Sequence, residues 1–182
     1  MKAFLNLLSK LEGKLIIFTL YKKSTEYVRQ ILENNGYSND VAVMHGNLRQ
    51  DQREQALHDF HSNAKRILLT TDVCARGMDI KKVKYVINYE YPLTTEDYIH
   101  RIGRTGRAKE TGIAYTYFDP VENKPLSREL VDILKEADQK VPKDLQDLAD
   151  KTFARPQRSY TDKLYGGKYE YKTEKKSTHI KF

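Results

Sequence analysis

Cysteine is nearly missing from this chain. Among 182 residues only Cys74 is present, so an internal disulfide and a cysteine-based metal site are both excluded. A lone cysteine of this kind reads as a small buried side chain. Long apolar runs are missing too: no eighteen consecutive apolar residues occur, and "MKAFLNLLSKLEGK" lacks the apolar core and small-residue cleavage site of a secretory leader. No self-similarity recurs at the 20 to 50 residue period of solenoids. These absences lead us to expect a soluble, intracellular protein with no membrane partner.

What is present is a core and an excess of positive charge. With 39% hydrophobic residues the length suits one domain plus an appendage. The net charge of +7 and pI near 9.3 point to a polyanionic partner. Residues 155–182 hold eight Lys/Arg against three Asp/Glu, so +5 of the +7 lies at the C-terminal end. From Phe153 onward aliphatics are sparse and no period is sustained. We therefore read residues 1–152 as the folded domain and 153–182 as a basic, structureless tail.

Within the domain, short β-branched runs alternate with helical stretches. "KLIIFT" (14–19), "VAVMHG" (41–46), "RILLTTDV" (66–73), "YVINYEY" (85–91) and "GIAYTYF" (112–118) read as strands, several of them apolar on both faces. Between them, 22–36 reads as a helix with Tyr27, Ile31 and Leu32 on its apolar face, and 49–62 as one with Ala56, Leu57 and Phe60 inward. Pro125 and Pro142 mark the starts of two further helices. The order predicts an α/β fold, a mostly parallel central sheet with helices on both faces.

In such sheets ligands gather at the carboxyl ends of the strands. Here those ends carry "TLYKK", "HGNLRQDQR", "TDVCARGMD" and "YPLTTEDYIHRIGRTGR". The last is the most concentrated, with His100, Arg101, Arg104 and Arg107 interleaved with Gly103 and Gly106. Thr94 followed by Asp97 reads as a helix start. His100, Arg104 and Arg107 then recur at i, i+4 and i+7 on one face. Arginines ending a helix also favour its dipole, by about 0.3–1 kcal/mol. That reading gives the glycines no purpose, since each costs roughly 1 kcal/mol against alanine.

In order and spacing these segments resemble the C-terminal RecA-like lobe of a DEAD-box ATP-dependent RNA helicase. "LIIFT" resembles its motif IV, "HGNLRQDQR" the HG and QxxR element, "TTDVCARGMD" motif V and "YIHRIGRTGR" motif VI, over residues 14–118. His100, where related helicase groups usually carry glutamine, points to the DEAD-box group. Tyr21 departs from the Thr or Asn expected after motif IV, and Met78 replaces a leucine.

The resemblance implies a RecA-like three-layer sandwich forming the second lobe of a two-lobe enzyme. It implies that Arg104 and Arg107 reach the γ-phosphate as arginine fingers, and that His100 and Arg101 couple to acidic residues of the other lobe. Asp79, with Gly77, would meet the ATP ribose; a buried carboxylate bonded to backbone is the competing account of Asp79. Gln50, Arg53, Thr71, Arg76 and Gly77 would line single-stranded RNA, although Gln50 and Arg53 also fit a solvated helix face. His45 is assigned no role.

The chain contains no G-x-x-x-x-G-K-[ST], no D-E-A-D and no S-A-T. By resemblance those belong to the N-terminal RecA-like lobe of the same protein, which would hold ATP with Mg²⁺ and supply the catalytic acid. The expected function is RNA-stimulated ATP hydrolysis by the full protein acting as a monomer on single-stranded or duplex RNA, this chain alone being inactive. A stand-alone RNA-binding or adaptor module without ATP turnover is the alternative.

Overall fold

The computed structural model describes residues 1–75, 80, 83–106, 111–152 and 178–181. Strand β1 (Leu15–Thr19) is buried along its whole length. A strand so apolar on both faces must be covered on both, and β1 is the centre of the sheet. It pairs in parallel with β3 (Ile67–Thr71) on one side and β4 (Tyr85–Asn88) on the other. Beyond β3 lies β2 (Val41–Met44), and beyond β4 lies β5 (Ile113–Phe118), both again parallel. The order β2-β3-β1-β4-β5 places a change of direction at β1, where consecutive crossovers diverge.

Helices α1 (Lys2–Leu8) and α2 (Lys22–Asn34) cover one face. Phe4, Leu8, Val28 and Leu32 pack there on Leu15, Ile17, Ile67 and Ile87. The opposite face receives Ala56 and Phe60 of α3 (Gln50–His61) and Cys74 of the single-turn α4 (Asp72–Ala75). A third cluster joins α5 (Thr95–Ile102), α6 (Ser127–Glu136) and α7 (Lys143–Asp150) around Tyr91, Tyr98 and Leu130. The result is the expected three-layer sandwich. Among the described residues no helix is long and apolar enough to cross a membrane.

Several details differ from the sequence reading. Tyr27 is 41% exposed; α2 turns Ser24, Thr25, Val28 and Leu32 inward, because Thr19 and Glu90 beneath it offer hydrogen bonds to its first turn. The third strand stops at Thr71 and the chain enters α4, since Asp72 is drawn back toward α5. Helix α1 was not among the elements read, its Phe4 and Leu8 being too few to establish a period. Pro125 sits in a 3-10 turn (Lys124–Leu126), and Pro142 precedes α7 as its cap rather than lying inside it. Cys74 is buried, as read.

A sixth strand, β6 (Thr178–Lys181), pairs antiparallel with β5, Phe118 opposite Thr178. It falls within the segment read as structureless; residues 153–177 and 182 lie outside the described residues.

Candidate functional site

The site is built where the carboxyl ends of β3, β1 and β4 meet the end of α5. Thr94 caps α5: its hydroxyl accepts from the Asp97 N–H at 3.1 Å and donates to the Asp97 carboxylate at 2.9 Å. This satisfies one of the helix's first four N–H groups and fixes where the helix starts. Counting on, the inward position of the last turn falls to Arg101, and the outward one to His100, which is exposed.

Arg101 is 1% exposed, among the largest fully buried side chains. Its Nε and Nη2 donate to the two Asp72 oxygens at 2.7 and 2.6 Å, a bidentate fork. Nη1 donates to the Glu90 carbonyl at 2.7 Å and approaches Asn88 Oδ1 at 3.4 Å. The guanidinium carbon stands 5.2 Å from the Phe18 ring centre. Arg101, expected to couple to the other lobe, is thus held by partners within its own domain. A carboxylate, a carbonyl and an aromatic face of its own domain hold it, and it also lines the small cleft that His100 and Arg104 share.

Asp72, which the sequence reading did not single out, is the partner that makes this burial tolerable. Its signal was a carboxylate directly after a strand buried along its whole length. Glu90 is a second buried acid that escaped notice. Its carboxylate accepts from the Leu20 N–H at 2.8 Å and from the Ser24 hydroxyl at 3.0 Å, binding the end of β4 to the turn after β1. Tyr21, whose type was unexpected, caps α2 in extended backbone, and its carbonyl accepts from the Thr25 N–H at 2.9 Å.

Helix α5 ends at Ile102, so the i, i+4, i+7 face does not extend through Arg104. The chain continues instead in tight turns, Arg104 N–H to Arg101 C=O at 3.1 Å and Thr105 N–H to Ile102 C=O at 3.1 Å. These keep His100 and the half-buried Arg104 on one wall of a small cleft, with Asp72, Asp97, Phe18 and Ala75 completing it. Thr105 then anchors the segment, its hydroxyl donating to the Val83 carbonyl at 2.7 Å.

Gly106 has φ +68, the left-handed region that a side chain disfavours. Gly112 lies against it: a Cβ there would collide with the Gly106 backbone and the Thr105 hydroxyl. The close approach thus requires glycine at 112, and the positive φ favours it at 106. Gly103, by contrast, has φ −66, and its Cβ would stand 3.1 Å from the Ile99 carbonyl. Arg107, Arg76, Gly77, Met78 and Asp79 lie outside the described residues.

Of the residues expected to line RNA, Gln50 and Arg53 occupy the first turn of α3, and Thr71 ends β3, the strand beside β2. All three lie at the carboxyl edge of the sheet. Gln50 is exposed and its amide donates to Glu54 at 2.6 Å. Arg53 is half-buried, and its Nε is shut off from solvent with no hydrogen-bond partner among the described residues. His45, left without a role, is 4% exposed and its Nε2 meets Glu26 at 2.8 Å. Its link ties the loop after β2 to α2.

The sheet order, with helices on both faces, defines a RecA-like domain. Residues 1–109 match the helicase conserved C-terminal domain. The chain belongs to that family, in its DEAD-box branch. It is 54% identical over 136 residues to the ATP-dependent RNA helicase DBP3 of Saccharomyces cerevisiae, covering 75% of this chain and 25% of that protein. It is 44% identical over 159 residues to the DEAD-box ATP-dependent RNA helicase 5 of Arabidopsis thaliana, covering 87% and 28%.

Among solved structures, the yeast DEAD-box splicing factor Prp28 superposes with a TM-score of 0.75 at 31% identity, over 87% of this chain and 35% of Prp28. The C-terminal domain of the DEAD-box protein Dbp5 gives 0.64 at 32% identity, over 82% and 87%. The chain thus spans between a quarter and a third of the curated relatives' length.

Proposed function

We propose that this chain is the second lobe of an ATP-dependent RNA helicase that binds the backbone of single-stranded RNA and lends arginines to an ATP site completed by an N-terminal lobe. The observation that carries the reading is the division of labour between adjacent arginines. Arg101 is committed inward to Asp72, and Arg104, three residues later, lies on the open cleft wall beside exposed His100. The buried fork fixes the end of α5 so that the turn carrying Arg104 has a defined origin. Arg104 and Arg107 act as the γ-phosphate contacts, and His100 couples to the other lobe. Asp79 and Gly77 serve the nucleotide's ribose.

No group of three His, Cys, Asp or Glu among the described residues could hold a metal ion. By the family resemblance Mg²⁺ belongs with the N-terminal lobe, and this lobe's guanidinium donors fit the phosphate end of the nucleotide. ATP supplies the phosphoryl group whose transfer to water drives the cycle. Arg53, Gln50, Thr71, Arg76 and Gly77 contact phosphate and sugar and read no bases.

The test is steady-state ATP hydrolysis by the 182-residue chain, alone and joined to the N-terminal lobe of the Saccharomyces cerevisiae relative. Background turnover alone, and RNA-stimulated turnover when joined, is expected. RNA-stimulated turnover by the isolated chain would overturn the reading.

A further inference from the structure

Among the described residues strand β2 is an outer strand of the sheet and pairs only with β3. The Ile67 N–H donates to the Asp40 carbonyl at 2.9 Å, which sets the phase of the ladder. In a parallel pair alternate residues turn their backbone groups to the same side. Ala42 and Met44 therefore bond β3, and the N–H and C=O groups of Val41 and Val43 face outward.

Along this edge runs an open groove of about 500 Å³ whose floor is Val41, Ala42 and Val43 and whose wall is α3, through Asp51, Gln52, Gln55, Ala56 and Asp59. An unpaired strand edge beside a helix is the geometry in which an extended peptide adds a strand, the edge supplying main-chain bonds and the helix wall sorting side chains.

The wall has a definite chemistry. On a chain of net charge +7 it presents two carboxylates and two amides. The basic side chains nearest these carboxylates are themselves exposed: Arg49, 2.9 Å from Asp51 with its side chain 76% exposed, and the His58 ring, 3.8 Å from Asp59 and 74% exposed. Such surface pairs are weak and exchangeable. Gln55 donates to Asp59 at 2.7 Å and orients it.

Asp51 and Asp59 are eight residues apart on the helix, a rise of about 12 Å. In an extended strand, residues i and i+4 point to the same face about 13 Å apart. We infer that the β2 edge is a docking site for an extended peptide of a protein partner carrying Lys or Arg at i and i+4, paired to β2 through its backbone and to Asp51 and Asp59 through its cations. Nucleic acid is the wrong occupant, because its phosphates would meet those two carboxylates. Gln50, Arg53, Thr71, His100 and Arg104 are not among the residues that line this groove, so the inference does not rest on the roles assigned to them.

The experiment titrates isotope-labelled chain with nine-residue synthetic peptides of alternating valine and threonine, followed by amide chemical shifts. One peptide carries lysines four apart, a second carries them three apart and so on opposite faces, and a third has glutamates four apart. The first peptide is expected to saturate, with the largest shifts at Val41 and Val43. The other two should bind about fivefold to tenfold more weakly.

Asp51→Asn with Asp59→Asn preserves shape at one exposed and one half-buried position, and should weaken the first peptide by a similar factor without changing the melting temperature. No saturable binding, equal binding of all three peptides, or binding indifferent to the two asparagines would overturn the inference. So would concentration-dependent dimerisation of the chain that buries β2, which would make a second copy the occupant.

Discussion

Replacing Asp72 by alanine should cost this domain more than any surface ion pair could. The substitution strips Arg101 of both bidentate bonds, at 2.7 and 2.6 Å, and leaves the Glu90 carbonyl at 2.7 Å as its one short contact. The guanidinium is 1% exposed, so water cannot replace the lost acceptors without opening the core between Phe18 and α5. Uncompensated buried charges of this kind cost about 3–5 kcal/mol. That is a large share of the roughly 5–15 kcal/mol that holds a domain folded.

With a urea m-value of about 2–3 kcal/mol/M, the unfolding midpoint should fall by roughly 1–2.5 M. Asp51→Ala, which breaks an exposed pair, serves as the control and should cost under about 1 kcal/mol. Asp72→Leu combined with Arg101→Met should recover most of the loss, since removing both partners leaves no stranded charge. A loss below about 1 kcal/mol for Asp72→Ala, equal to the control, would refute the claim that this pair organises the site.

Gly112→Ala should destabilise by about 1–3 kcal/mol by overpacking, because its Cβ meets the Gly106 backbone and Thr105. The readout is the melting temperature, and an unchanged value would contradict the close approach. Burial raises the pKa of Tyr98, Tyr117 and Tyr91 above their ordinary value of 10.0. The folded state thus holds these protons where the unfolded chain loses them. Their contribution is complete below pH 10 and is lost as pH climbs from there through the folded values, so alkaline unfolding should coincide with a late tyrosinate absorbance step. RNA affinity of the chain should fall with salt at about −0.7 per neutralised phosphate on a log-log plot. Deleting residues 155–182 should lower that slope and leave a residual affinity, which Arg53→Met should reduce further in a filter-binding assay.

The fold was legible because buried parallel strands advertise themselves. "LIIFT" and "ILL" are apolar on both faces, and the middle of a covered sheet suits such runs. The start of α5 was legible for a local reason, Thr94 and Asp97 being within one turn of each other. What a linear pattern could not show was which charged residues turn inward. Arg101 and Arg104 are the same residue type three apart, yet one is clasped by Asp72 and the other is on the rim. The partner that decides this is 29 residues away in sequence. Tyr27 was misread for a related reason: α2 buries Ser24 and Thr25 because Glu90 and Thr19 face them across the layer. A tertiary hydrogen bond can outrank a tyrosine for an inward position.

The central claim is that Arg104 acts on the transferring phosphoryl group, and Arg104→Lys in the joined two-lobe protein tests it most directly. Lysine keeps the charge and loses the planar fork that matches the equatorial oxygens. Arginine fingers contribute roughly 10³ to 10⁵ in turnover in phosphoryl-transfer enzymes. RNA-stimulated ATP turnover should therefore fall by at least about a hundredfold, with RNA affinity in the absence of nucleotide and the melting temperature unchanged. Turnover within about threefold of the parent would contradict the account, leaving Arg104 as a charge that ornaments the end of α5.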